Sequence, residues 1–389
     1  MRPPLIIGGG PAGAAAACLL ARAGAPPTLL ERLPGPADKV CGDFVSAEAI
    51  AMLQDLGIDL PALHPAHIAT LRVVHGRRVA EIALPFPALG LTRRALDEAL
   101  LQRAAQLGAT VRRGHAVRSL QAGPHGIHIR SDLPTGFAGE AVFLATGKHE
   151  LRGVSRPTRT LRPLGLKTYF DLAPDQAASL QGAVELVLLR DGYAGLQCVE
   201  FGRVVLCLVT GADRMRHADG NWPMLLAELL DEAPHLRLRL RGARDRLPRP
   251  LAIAGIPYGH LQLPDPHEPG LFRLGDQGCV IPSLTGDGVA IALHSAVLAV
   301  AVWQSGGDAV TYHRTLARQL RRQMRIAGLI HGLCGTRALQ PLLAAAARAC
   351  PAAVVLAARS TRIAACESAG NKRPSADERR GFGPRASVS

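Results

Sequence analysis

The stretch Leu5-Ile6-Ile7-Gly8-Gly9-Gly10-Pro11-Ala12-Gly13 constrains this chain more than any other. A short apolar run ends at once on glycines, and an alanine-rich segment, Ala12 to Ala23, follows up to a stop at Gly24. That pattern reads as strand, tight turn and helix. Thr28-Leu29-Leu30 resumes an apolar strand ending in Glu31, so the opening is a βαβ unit of about thirty residues. In Gly8-x-Gly10-x-x-Gly13 the first glycine permits the turn and the second lets the backbone approach a pyrophosphate. The third lets helix and strand pack closely. Phosphates then lie on the helix N-terminus, where free N–H groups and the helix dipole favour anions. Glu31, 18 residues beyond Gly13, is placed to hydrogen-bond ribose hydroxyls and disfavours a 2′-phosphate, which argues against NADP here. Alone, the motif indicates an adenine dinucleotide without saying which.

A second glycine signature decides between them. Gly275-Asp276-Gln277-Gly278 follows the short apolar run Leu271 to Leu274 and leads through Pro282 to Gly286-Asp287-Gly288-Val289. Asp276 can accept hydrogen bonds from a ribityl chain, although a plain turn residue is the simpler alternative for it. The N–H groups from Gly286 to Val289 open a helix and can stabilise negative charge on the N1/O2 edge of a reduced flavin. Together the two signatures point to FAD, held end to end by both halves of the chain.

At 389 residues two interleaved modules are expected. The fold class is α/β: a Rossmann-like FAD-binding domain with an inserted mixed β-sheet substrate domain and a C-terminal helical segment. The boundaries fall at 1–160 and 261–310 for the FAD-binding domain, 161–260 for the substrate sheet, and 311–366 for the C-terminal helices. A polar, disordered tail is expected over 367–389. The net charge of +14 comes almost wholly from arginine, and Lys39, Lys148, Lys167 and Lys372 are the only lysines. No basic patch is interleaved with aromatics, which argues against nucleic acid; the dense run His235 to Arg246 reads as one solvated face near a helix end. The eight cysteines show no CxxC pair and no metal-ligand spacing, which fits a reducing, cytoplasmic compartment, with Cys18 and Cys207 as small core residues. His64, His67 and His75 likewise show no metal spacing, and no metal is expected. A strand starting by Leu5 leaves no room for a signal peptide, and the longest apolar run, Val289 to Trp303, is too short and interrupted to span a membrane.

Further segments carry a resemblance. They are Lys39-Val40-Cys41-Gly42-Asp43, Leu91-Thr92-Arg93-Arg94-Ala95-Leu96-Asp97, Ala145-Thr146-Gly147, Gly192-Tyr193-Ala194-Gly195 and the run from Gly275 to Gly288. With the N-terminal motif they resemble the FAD-dependent oxidoreductases built on the para-hydroxybenzoate hydroxylase fold, nearest the geranylgeranyl-reductase-like branch. The resemblance implies that Arg93 reaches the FAD phosphates or ribose and that Ala145-Thr146-Gly147 closes over the adenosine end. It implies that the Cys41-Gly42 loop lies against the flavin and that Gly275-Asp276 with Pro282 and Gly286 to Val289 holds the ribityl and flavin end. Arg32 joins this set beside Glu31. Two departures stand out. The family's Asp-Gly pair after the Ala-Thr-Gly strand is here Gly147-Lys148-His149, which points away from the family's usual reduction by NAD(P)H. Its aromatic Tyr-x-Trp segment is missing too, and no Trp-x-Trp-x-Ile-Pro exists, which argues against a flavin halogenase.

The expected function is an FAD-dependent oxidoreductase acting on an apolar or aromatic biosynthetic intermediate, reducing a carbon–carbon double bond, with NADH or NADPH as a transient reductant or an external electron donor in its place. Cys41 and Tyr193 are the candidate catalytic residues, and Tyr258 and Lys167 are candidate pocket residues. The alternative reaction is flavin-dependent hydroxylation of an aromatic or polyketide substrate. An alternative of another class is a protein that binds FAD or lipid without turnover. Arginine-rich surface and apolar C-terminal helices, Leu339 to Ala358, are compatible with peripheral membrane contact.

Overall fold

In the computed structural model, which describes residues 3–123, 126–132, 137–139, 141–154, 156 and 163–363, Leu5–Ile7 is buried throughout and lies at the centre of a five-stranded parallel sheet. The strand order is Leu271–Arg273, Val142–Leu144, Leu5–Ile7, Thr28–Glu31, Thr110–Arg113. Strands covered on both faces read as unbroken apolar runs, which is why Leu5–Ile7 and Val142–Leu144 show no alternation. One face carries the helices Pro11–Arg22, Arg93–Gln106 and Gly288–Gln304. The other packs Leu5, Ile7 and Leu30 against Leu120, Ile127 and Ile129 of a three-stranded antiparallel sheet. The Pro11–Arg22 helix approaches closely because its inward side chains are small: Ala14 to Cys18 are wholly buried. A Cβ on Gly13 would lie 1.9 Å from the Gly8 carbonyl oxygen, so only glycine allows that contact.

The second layer is a nine-stranded mixed sheet built on Pro163–Asp171, Val204–Gly211, Gly192–Cys198 and Gly182–Leu189. Its antiparallel register continues through Ala66–His75 and Arg78–Gly90 to Phe44–Val45, segments from well before residue 161. They join through a parallel pairing of Gly182–Leu189 with Ala66–His75. Helices Trp222–Glu232 and Pro234–Arg239 cover one face with Leu225, Leu229 and Leu236. The arginine run expected to be one solvated face is therefore divided. Arg239 is buried and grips Glu185 at 2.6 Å, whereas Arg237, Arg241 and Arg246 are exposed. Gln340–Ala349 and Pro351–Ser360 cover Ala80 and Ile82 with Ala347, Val354 and Val355. The expected tail, 367–389, lies outside the described residues.

Candidate cofactor and substrate site

A cleft of about 480 Å3 runs along the C-terminal ends of the parallel strands and under the nine-stranded sheet. That is where an open α/β sheet binds ligands. Gly8, Gly10, Pro11, Ala12, Glu31 and Arg32 line one end, and Gly275, Asp276, Gly286, Gly288 and Val289 line the middle.

At the first end, Gly8 has φ +104°, and a Cβ there would sit 2.4 Å from the Ala145 carbonyl oxygen. The turn is thereby pressed against Ala145-Thr146-Gly147, all three of which line the cleft. The helix after it begins at Pro11, with no side-chain cap and no acidic residue in its first turn. Its orphan N–H groups are free to meet an anion. Glu31 is nearly buried and its two oxygens accept hydrogen bonds from Gly9 N (2.6 Å) and Leu33 N (2.9 Å). The Arg93 guanidinium lies 3.1 Å from the position of a Gly10 Cβ and is held by both oxygens of Asp97 at 2.8 Å. Burial alone would lift the Asp97 carboxyl, but Arg93 and Lys39 beside it hold it below the usual carboxylate range.

The departure at residues 147–149 has a defined geometry. Lys148 Nζ lies 3.1 Å from Asp276 Oδ2. Burial is the largest influence and disfavours the Lys148 ammonium, yet the groups around it, Asp276 first and then Cys41 and Tyr258, together leave the pKa above its ordinary value. His149 is depressed by burial and then by Arg32, Lys39, Lys148 and Arg156, and its neutral Nε2 accepts a hydrogen bond from Arg32 at 2.7 Å. Gln277, wholly buried, donates to the carbonyls of Gly147 (2.8 Å) and His149 (3.0 Å), which ties the second glycine signature to the Gly147-Lys148-His149 segment.

The Lys39–Asp43 loop is anchored from above. Asp43 adopts φ +56° and is fully buried in an ion pair with Lys167 at 2.7 Å. Tyr169 donates its hydroxyl to Asp43 at 2.8 Å, Lys167 also donates to the Lys39 carbonyl at 3.0 Å, and Gln197 donates to the Asp43 carbonyl at 2.8 Å. These bonds hold Cys41 and Gly42 on the cleft wall. Lys167 is thus a buried strut and not a pocket residue. Glu200 adds a second link between the layers, accepting from Thr92 N (2.9 Å) and Thr92 Oγ1 (2.6 Å) at the start of the Arg93 helix.

The Gly286 turn is fixed from the C-terminal side. Asp287 is fully buried, does not line the cleft, and pairs with Arg362 Nη1 at 2.6 Å; Arg362 also donates to the Thr285 carbonyl at 2.7 Å. Burial pushes the Asp287 carboxyl up to about 7, with Arg362 opposing. Gly286, at φ +73°, leaves room for the Phe44 ring, whose edge would lie 2.7 Å from a Cβ there.

The remaining walls are apolar: Val40, Val209, Leu251, Ile253 and Ile256, with Cys207, which lines the cleft instead of filling the core. Burial pushes the Cys207 thiol up to about 12. Tyr258 also lines the cleft and hydrogen-bonds Ser283. Tyr193 is 5% exposed and lies behind this wall, edge-on to His331, which in turn meets Tyr258. Of the residues singled out for the cofactor, Gly13, Pro282 and Asp287 stand behind the cleft surface and the others line it. Asp43 and Gln277 stand inside the two motifs that the sequence singles out but carry no role there, and Tyr169, Gln197 and Arg362 lie outside every motif, each an ordinary polar residue in the sequence. Among the described residues no group of His, Cys, Asp or Glu forms a metal cluster.

These residues fit FAD. Two uncapped helix starts face the cleft, an arginine lies over the glycine turn, and Gly42, Gly147 and Gly288 open onto it with nothing within 4 Å of their absent Cβ atoms. Residues 2–134 match the family described as FAD binding domain. The chain is similar to the 12-dehydrotetracycline 5-monooxygenase/anhydrotetracycline 6-monooxygenase of Streptomyces rimosus subsp. rimosus, 33% identical over 138 residues, covering 34% of this chain and 27% of that protein. It is similar to the menaquinone reductase of Mycolicibacterium smegmatis, 32% identical over 124 residues and 29% of each chain. The matches span less than a third of those proteins. Among solved structures, a flavin-dependent brominase superposes with TM-score 0.74 at 15% identity, over 93% of this chain and 95% of that one. A geranylgeranyl bacteriochlorophyll reductase-like protein from Thermoplasma acidophilum gives 0.72 at 16% identity, over 89% and 91%. Identities this low show the fold alone. The chain thus shares its fold with these flavoproteins, its N-terminal part is an FAD binding domain, and FAD is the cofactor that domain binds.

Proposed function

We propose that the protein is an FAD-dependent oxidoreductase that reduces a carbon–carbon double bond in an apolar biosynthetic intermediate. Residues 1–160 and 261–310 hold the cofactor, apart from the strands Phe44–Val45, Ala66–His75 and Arg78–Gly90, which join 161–260 in the sheet that covers the substrate, and 311–366 brace the flavin turn. The observation that carries this reading is the apolar end of the cleft, walled by Val209, Leu251, Ile253 and Ile256, with Cys41 and Tyr258 as its proton-bearing groups. Reducing a double bond needs a hydride equivalent at one carbon, which reduced FAD supplies when bound, and a proton at the other. Burial raises the Tyr258 pKa, so its hydroxyl stays protonated at neutral pH and can donate that proton; Cys41 is the second candidate. Tyr193, behind the wall, would act through Tyr258 and His331. Lys148, paired with Asp276 where the family carries its Asp-Gly pair, favours an external electron donor over direct reduction by NADH or NADPH. The free thiols of the described cysteines fit a reducing cytoplasm, and an apolar substrate fits peripheral contact with a membrane that stores it.

Hydroxylation of an aromatic or polyketide substrate is the second reading, favoured by the similarity to a tetracycline monooxygenase. The test is to identify the released flavin and follow its bleaching by NADH, NADPH or a reduced ferredoxin under nitrogen. Substrate saturation by the reduced protein without oxygen supports the reductase. Product formation only with oxygen consumption replaces it by the monooxygenase, and a protein that retains no flavin overturns both.

A further inference from the structure

The last described helices carry a charge pattern unlike the rest of the chain. Residues 309–363 contain nine arginines and not one lysine, aspartate or glutamate. Arg362 is committed to Asp287. The other eight are exposed, and among the described residues none forms an ion pair. Arg314, Arg318, Arg321, Arg322 and Arg325 run along one exposed stripe of the helix Ala309–Gly335 at i, i+3, i+4 spacing. Leu329 and Leu333 continue that stripe, 70% and 43% exposed. Leu342 and Leu356, on the next two helices, are 65% and 66% exposed. Around them lie alanines, prolines and only Arg348 and Arg359. These two helices bend by 105° at Cys350, and no single helix among the described residues is long and apolar enough to cross a membrane. Their inner sides are committed to Ala80 and Ile82, so the pair lies flat on the protein.

We propose that this face docks on an anionic phospholipid surface, with the leucines among the acyl chains and the arginines on the phosphates. Charge complementarity selects the occupant. A second copy of this chain would set eight unpaired arginines against eight more. A nucleic acid would use the arginines but leave the leucines in water. The same helix also links the face to the cleft. His331 lies on the side opposite Leu329 and Leu333 and meets the rings of Tyr258 and Tyr193 at 5.4 and 6.3 Å. One helix diameter, about 10 Å, therefore separates docked lipid from the apolar end of the cleft. Docking serves the apolar substrate proposed above but does not depend on flavin chemistry, so either can fail alone.

The test is co-sedimentation of the full chain with vesicles of phosphatidylcholine plus phosphatidylglycerol, against phosphatidylcholine alone, at low and high salt. Binding is expected to anionic vesicles only and to weaken with salt. Replacing Arg321 and Arg325 by glutamine should lower partitioning roughly 25-fold, at about fivefold per arginine. Leu329→Ser with Leu333→Ser should lower it also, while far-UV circular dichroism and the melting temperature show both variants folded. Equal binding to neutral vesicles, binding unchanged in both variants, displacement by RNA at lower concentration than by lipid, or a dimer that the leucine variants dissociate without any vesicle binding would each overturn the proposal.

Discussion

Replacing Lys167 by methionine tests whether the Lys39–Asp43 loop on the cleft wall is held by charge. Lys167 and Asp43 are both fully buried, and the ammonium supplies hydrogen bonds to both carboxylate oxygens, at 2.7 and 2.8 Å, and to the Lys39 carbonyl at 3.0 Å. Methionine fills the volume and removes all three. What remains around Asp43 is the Tyr169 hydroxyl at 2.8 Å and Arg93 N at 3.3 Å, too little to compensate a buried anion. Breaking one side of such a pair costs about 3–5 kcal/mol. For a chain of 389 residues that lowers the melting temperature by roughly 4–6 °C. The deficit has a pH signature. Burial raises the Asp43 carboxyl and Lys167 is the largest opposing influence, so its loss lifts the folded pKa further above the unfolded one. The folded state then binds the extra proton, and the variant loses stability as pH rises through the interval above the unfolded value near 4. Asp43→Asn added to Lys167→Met removes the stranded charge, and asparagine tolerates the φ of +56° at this position. The double variant should recover most of the loss. Denaturant melts across pH measure this; a single-variant cost below about 1 kcal/mol, or a double variant whose cost is the sum of the two singles, would refute the ion-pair account.

Other expectations follow from the same geometry. Burial holds His260 down at about 4 and His313 at about 3, so both stay neutral in the fold while the unfolded chain takes up protons near 6.5. Their contribution is present above that value and is lost as pH falls, by roughly 2 kcal/mol each at pH 5; His313→Gln, which can still accept from Arg273 N, should flatten the stability profile between pH 7 and 5. Arg362→Ala strips Asp287 and the Thr285 carbonyl of their shared donor and should speed flavin dissociation about tenfold, read by fluorescence of the released cofactor; an unchanged rate would make the pair irrelevant to the turn. Tyr258→Phe and Cys41→Ser separate the two proton donors: the one that matters should lose about 10²–10⁴-fold in turnover with flavin retained, and full activity in both would place the donor elsewhere.

What the sequence made legible is what the backbone demands. Gly8 at φ +104°, Gly275 at +54° and Gly286 at +73° leave a mark at fixed spacing because no other residue serves there, and Gly13 does so through its 1.9 Å approach to Gly8. The parallel strands next to these glycines were legible too, since burial on both faces forces unbroken apolar runs. The polar supports left no such mark. Lys167 meets Asp43 across 124 residues and Arg362 meets Asp287 across 75, and neither pairing has a local period. Pro163–Asp171 is buried at every position from Leu164 to Phe170, so no alternation singled out the lysine within it. The early strands Ala66–His75 and Arg78–Gly90 joined the later sheet for a similar reason, through a parallel pairing that no short loop announces. The altered triplet Gly147-Lys148-His149 shows what this costs in interpretation. Read along the chain it is a departure that adds positive charge. In space, Lys148 is answered by Asp276 at 3.1 Å and His149 is neutral against Arg32, so the triplet is a compensated rearrangement of the cleft's charges. A nicotinamide dinucleotide would have to compete with Asp276 for Lys148, whereas an external electron donor would not. Bleaching of the wild-type flavin by neither NADH nor NADPH, together with bleaching of a Lys148→Gly variant by one of them, is the outcome this argument requires; a wild-type protein that NADH or NADPH bleaches readily would refute it.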